Sequence, residues 1–157
     1  MEIREARAAD LAACRELLEE YKAGLGVSLC FQGFDRELAG LPGDYAPPQG
    51  GLWVAVADGE LAGCVALRPL AGDRAELKRL FVRPSHRGHE LGRRLALHAL
   101  ASARGAGYRE VMLDTLPQMA SAQRLYESLG FRDCAAYNDN PVGGVRFMAL
   151  AFAPVTP

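Results

Sequence analysis

One stretch, Leu80–Arg94 (LFVRPSHRGHELGRR), constrains the fold of this chain more than any other. Leu80-Phe81-Val82 has the β-branched and aromatic character of a strand. Pro84 ends it, because proline brings no N–H to a ladder. Beyond the loop Ser85–Glu90, Leu91, Leu95 and Ala99 recur at helical spacing. A strand that turns tightly into a helix leaves the first N–H groups of that helix without intrahelical acceptors, and such a terminus receives anions.

Charge points the same way. Lys78, Arg79, Arg83, Arg87, Arg93 and Arg94 stand against a single acid, Glu90, in a chain whose net charge is −1. Arg93 and Arg94 fall in the first turns of the helix, where the dipole disfavours cations by roughly 0.3–1 kcal/mol. A phosphate docked there reverses the sign of that penalty. The other reading is a solvated basic face.

At 157 residues the chain is most simply one domain, 1–157, large enough to bury about two thirds of its extended surface. A net charge of −1 argues against a nucleic-acid partner. No stretch approaches the ~20 apolar residues of a membrane span, and MEIREARAAD lacks the apolar core of a signal peptide. The expectation is a cytoplasmic protein with no membrane partner. Cys14, Cys30, Cys64 and Cys134 fit no CxxC or zinc spacing and read as reduced, mostly buried thiols. His86, His89 and His98 have no Cys or acid partners at ligand spacing, so no metal centre is expected. A nucleotide-binding domain fails on motif, with neither G-x-x-x-x-G-K-[ST] nor G-x-G-x-x-G after a strand.

Taken in order, Glu2–Arg7 is a strand candidate leading to Asp10, a good N-cap. Leu11, Cys14, Leu17, Leu18 and Tyr21 then mark a helix to about Lys22. A short second helix falls within Phe31–Leu41, and Gly43–Gly51 is a loop. Leu52–Ala57 and Leu61–Leu67 are strands joined at Asp58-Gly59, a strong hairpin signal. Gly72-Asp73 turns into a third strand, Ala75–Val82. After the Leu91 helix, which runs to about Arg104, come a strand Tyr108–Thr115, a helix opened by Pro117 and closed by Gly130, and two last strands, Phe131–Tyr137 and Val145–Phe152. The order β-α-α-β-β-β-α-β-α-β-β describes an α/β (α+β) fold, a mixed, mostly antiparallel sheet with helices on both faces.

Two motifs carry a family resemblance over nearly the whole chain. Arg87-Gly88-His89-Glu90-Leu91-Gly92 resembles the (Gln/Arg)-x-x-Gly-x-(Gly/Ala) pyrophosphate loop of the GCN5-related N-acetyltransferase (GNAT) superfamily, with Glu90 where the family has its middle glycine. Ala122-Gln123-Arg124-Leu125-Tyr126-Glu127-Ser128-Leu129-Gly130-Phe131 is similar to its Ala-x-x-Leu-Tyr-x-x-x-Gly-Phe segment, with Met119 where an Asn is common. The resemblance implies a strongly twisted sheet and acetyl-CoA as cofactor. Coenzyme A would be held by Leu80, Phe81 and Val82 through their backbone and by the loop Arg87, Gly88, His89, Glu90, Leu91, Gly92 and Arg93.

Acyl transfer to a primary amine needs a base for the amine, a donor for the thioester oxygen and an acid for the leaving thiolate. By resemblance Tyr126 is that acid; otherwise its ring packs in the core. Glu76 lies at the offset from Arg87 of the general-base glutamate in the histone-acetylating branch; otherwise it is an exposed carboxylate pairing with Lys78 or Arg74. Asp114 and Thr115 face the acceptor, or Asp114 caps the Pro117 helix. The implied function is acetyl-CoA-dependent N-acetyl transfer to a small-molecule amine, directly in a ternary complex, since no cysteine sits in a nucleophile motif. The alternatives are a protein or peptide amine acceptor, and a catalytically silent acyl-CoA-binding regulatory domain, which Glu90 and Met119 favour. Relatives that dimerise make a homodimer an expectation.

Overall fold

The computed structural model describes residues 1–26, 33–88 and 90–153; Cys30, Phe31 and His89 lie outside the described residues. The elements are β1 (Glu2–Glu5), α1 (Leu11–Leu25), α2 (Phe34–Ala39), β2 (Gly51–Ala57), β3 (Glu60–Pro69), β4 (Arg74–Val82), α3 (Leu91–Gly105), β5 (Glu110–Thr115), α4 (Ala120–Leu129), β6 (Arg132–Asp133) and β7 (Arg146–Ala151). Helices and strands follow the expected order. The sheet runs β1-β2-β3-β4-β5-β7-β6. Among the described residues β4 and β5 are its parallel pair and the other neighbours are antiparallel.

Alternation along the central strands divides the core in two. On one face Val65, Leu67, Leu77 and Val111 meet Leu91, Leu95 and Ala99 of α3 and Tyr126 of α4. On the other, Val54, Cys64 and Ala66 meet Leu17 and Leu18 of α1 and Phe34 and Leu38 of α2. α3 lies directly on β3 because Gly63 carries no side chain: a Cβ there would stand 2.7 Å from the Phe81 carbonyl and 3.2 Å from Leu95 Cδ1. The β2–β3 hairpin turns where expected, with Asp58 and Gly59 both left-handed (φ 51° and 80°), as the turn that matches strand twist requires.

Four local expectations are corrected. Asp10 precedes α1 but does not cap it; its carboxylate turns back to the Arg4 guanidinium (2.6 and 3.1 Å) and the Arg7 N–H (2.7 Å). α1 continues through Gly24 to Leu25 and closes on left-handed Gly26. Pro117 sits in a turn that precedes α4, which starts at Ala120. The strand expected over Phe131–Tyr137 is ordered as a ladder only at Arg132–Asp133, because Tyr137, Asn138 and Asn140 tie the chain beyond to Glu76 and Asp114.

Candidate active site

The parallel ladder of β4 and β5 consists of Arg74 with Glu110, Ala75 with Val111 and Glu76 with Met112. Both strands continue past that point, to Val82 and Thr115, without pairing to each other. The sheet is therefore split, and the β4 edge from Leu77 onward is open to an incoming extended chain. A bulge sharpens the split. Lys78 pairs with Ala66 and Phe81 with Cys64, so Arg79 and Leu80 together stand opposite Val65. Arg79 takes a left-handed φ of 60° to allow it, and the Cys64 thiol donates to its displaced carbonyl (3.3 Å). Such bulges re-aim backbone groups at sites.

A cleft of about 790 Å³ opens along this edge. Its walls are Leu80, Phe81 and Val82 of β4, the loop Arg87, Gly88 and Glu90, Leu91, Gly92 and Arg93 of α3, Gln118–Ala122 with Arg124 and Leu125 on the α4 side, and Tyr21 and Leu25 of α1. Apart from His89, every residue expected to bind the cofactor lies on it. Gly88 has φ +91° with open space where a Cβ would be, and Glu90 is left-handed at φ 55°. That conformation is what a glycine supplies without strain, so Glu90 holds the expected loop path at a cost. α3 has no side-chain cap, and its first helical bond runs from Arg94 N–H to the Glu90 carbonyl. Among the described residues the N–H groups of Gly88, Leu91, Gly92 and Arg93 find no acceptor. An elongated ligand with an anionic group at the α3 end and amides along β4 fits these walls.

Part of the basic run proves to be structural. Arg79 is buried against Glu37, with bonds of 2.9 and 3.0 Å, and lies over the Phe34 ring. Arg83 binds Glu20 and the Leu61 carbonyl. Arg87 and Arg93 reach the cleft, Arg87 tied to the Val82 carbonyl and Arg93 to the Ser128 hydroxyl. Arg124 of α4 joins them there.

Tyr21, Leu25, Leu80 and Met119 line both this cleft and a smaller inner pocket of about 30 Å³. The inner pocket adds Lys78, Asp114, Thr115, Tyr126 and Asn140. Tyr126 is 6% exposed, its ring edge-on to Phe131. Burial pushes its phenol well above the ordinary tyrosine value, so it carries its proton at neutral pH. Among the described residues its hydroxyl makes no hydrogen bond. Asp114 does not cap a helix: its Oδ2 accepts from Asn138 (2.9 Å) and Asn140 (3.2 Å) of the loop over the pocket.

Glu76 stands apart from Tyr126. It is 1% exposed and lines neither the cleft nor the inner pocket. Its Oε1 receives Arg68 (2.6 Å) and its Oε2 the Tyr137 hydroxyl (2.5 Å). It is thus neither exposed nor paired with Arg74, and Lys78 is a distant second partner at 4.0 Å. Neither motif marks Lys78 or Tyr21 as a site residue, nor Gln118 just before α4, nor Ser121 and Arg124 on it. The signal within reach was the spacing Glu76, Lys78 on one strand face, opposite Ala66 and Arg68 across the Gly72 turn.

The comparisons agree with this geometry. Residues 12–131 match the Acetyltransferase (GNAT) family. An uncharacterized N-acetyltransferase of Schizosaccharomyces pombe is 40% identical over 143 residues, spanning 90% of this chain and 88% of that protein. A GNAT-family acetyltransferase from Staphylococcus aureus Mu50 has the same fold (TM-score 0.82, 19% identity, 96% of this chain and 98% of that one). So does yncA of Salmonella typhimurium, solved with its cofactor acetyl-CoA (TM-score 0.75, 25% identity, 100% of this chain and 97% of that one). With its split β4–β5 edge and uncapped α3 terminus, the chain belongs to the GNAT family of acetyltransferases.

Proposed function

We propose that this enzyme moves the acetyl group of acetyl-CoA directly to a primary amine of a small molecule while both are bound. The observation that carries the reading is that the cleft and the inner pocket share Tyr21, Leu25, Leu80 and Met119 as walls. When bound, acetyl-CoA supplies an acyl thioester open to attack by an amine. The N–H groups of Gly88, Leu91 and Gly92, without acceptors among the described residues, would hold the pyrophosphate, with Arg87 beside them. The unpaired edge of Leu80–Val82 bonds the pantetheine amides as an added strand. Glu90 adds like charge at the phosphate without removing any of these donors.

The N–C bond forms as the C–S bond breaks. An ammonium acceptor loses two protons in all, one to solvent through Asp114 and one to the sulfur by way of the Tyr126 phenol. Asp114 takes the base role first expected of Glu76, because it lines the pocket and Glu76 does not. Glu76 instead positions the strand and the loop above it. Direct transfer is supported by the cysteines. Burial pushes the Cys14 thiol up to about 11 and the Cys64 thiol higher, and neither lines the cleft or pocket. The smallness of the inner pocket and its cover of Asn138 and Asn140 support a small acceptor over a protein chain.

The test is release of free CoA thiol from acetyl-CoA against a panel of small primary amines and a panel of peptides. Turnover confined to the small amines supports the reading. Turnover with peptides alone, or with neither while acetyl-CoA still binds, overturns it.

A further inference from the structure

We propose that the acceptor amine also carries a carboxylate, and that Lys78 is the residue that reads it; the proposal rests on the acetyl-transfer reading above. Lys78 lines the inner pocket with Asp114, Thr115 and Tyr126, and its side chain is 10% exposed. Its nearest acid is Glu76 at 4.0 Å. That carboxylate already receives Arg68 on one oxygen and Tyr137 on the other. The neighbouring cation, Arg79, is matched by Glu37. Arg68 with Glu76 and Arg79 with Glu37 cancel, and the ammonium of Lys78 is the surplus charge on this wall.

A buried ammonium without a close counter-ion is costly. It is accounted for when a substrate brings the missing negative charge. A second unsatisfied group lines the same pocket: Thr115 Oγ1 is buried and, among the described residues, has no hydrogen-bond partner. A hydroxyl can donate to a carboxylate. Asp114, on the same pocket, is held by the neutral amides of Asn138 and Asn140 on Oδ2. Among the described residues its Oδ1 is unbonded. The lining of the pocket therefore offers a cation, a hydroxyl and an acid. That is the complement of an amino acid, ammonium toward Asp114 and carboxylate toward Lys78.

The experiment compares initial rates for amino acids with those for their carboxamides, which keep the amine and lose the negative charge. With saturating acetyl-CoA, kcat/KM for the acids is expected to exceed that for the amides by roughly 10- to 100-fold. Lys78→Met should abolish the difference and leave KM for acetyl-CoA unchanged, while Lys78→Arg should keep a preference for the acids. Acetyl-CoA binding by each variant shows that it is folded. Amides used as well as acids, or a preference that survives in Lys78→Met, would overturn the proposal. So would turnover with other amines and with neither of these, which leaves acetyl transfer standing. Failure of the wild type to bind acetyl-CoA removes the reading beneath the proposal, and the proposal with it.

Discussion

Tyr137 donates its hydroxyl to Glu76 at 2.5 Å, and this bond fastens the loop between β6 and β7 to the middle of the sheet. The Tyr137 ring is steadied edge-on by Phe147. One and three residues further on, Asn138 and Asn140 do the same for Asp114. The loop thus hangs from two carboxylates, Glu76 in the last pair of the β4–β5 ladder and Asp114 on β5 beyond it.

Removing the first fastening separates stability from chemistry. Tyr137→Phe loses a hydrogen bond to a buried carboxylate, a change of about 2 kcal/mol and roughly 4–8 °C in melting temperature. KM for the acceptor should rise while KM for acetyl-CoA stays put. Calorimetric melting and steady-state kinetics measure both, and an unaltered melting temperature would show that the bond contributes nothing.

The proton-transfer roles separate in rate. Tyr126→Phe should lower kcat by roughly 10²-fold or more with acetyl-CoA affinity unchanged, because the phenol lies at the inner end of the cleft and away from the phosphate loop. Asp114→Asn should also act on kcat. Glu76→Gln should instead show itself chiefly as a lower melting temperature. A full rate in Tyr126→Phe removes its acid role.

Glu90→Gly restores the residue that a left-handed loop position favours. Relief of strain at φ 55° is worth about 1 kcal/mol, and the loss of one negative charge beside the helix terminus should tighten CoA binding a few-fold. Glu90→Ala keeps the strain and should not stabilise. Weaker binding by Glu90→Gly would mean that the carboxylate supports the loop.

Lys78 gives a pH signature. Burial holds its pKa below the ordinary 10.5. Between the lowered folded value and 10.5 the unfolded chain binds a proton that the folded chain does not, so this group's contribution to stability rises with pH. Below that window both states are charged and the burial penalty is fully present. Lys78→Met should therefore be more stable than wild type near neutrality, by roughly 1–2 kcal/mol, with the advantage shrinking as pH climbs toward 10.5. Urea unfolding at several pH values reads this directly. A variant less stable than wild type at pH 7 would contradict it.

The order of helices and strands was legible because periodicity and turn chemistry are local. Asp58-Gly59 named its hairpin, and Leu91, Leu95 and Ala99 named α3 with the face it buries. What stayed out of reach was decided by partners distant in the chain. Phe131–Tyr137 reads as a last strand in the sequence, yet the groups that draw Tyr137, Asn138 and Asn140 away sit on β4 and β5. Asp10 looks like a cap until Arg4 of β1 competes for it. The loop into α3 was legible as a wall of the cleft, since contiguous backbone forms it. The surroundings of Glu76 were not, because they come from Arg68 on the next strand and Tyr137 on a far loop.

Calorimetric titration of acetyl-CoA into the purified protein, with Arg87→Ala in parallel, tests the central claim most directly. The cleft described here should bind one acetyl-CoA per chain with a Kd on the order of micromolar, about −8 kcal/mol, and Arg87→Ala should weaken it. No binding to the wild-type protein would contradict the assignment of the α3 terminus as a pyrophosphate site, and with it the account of catalysis.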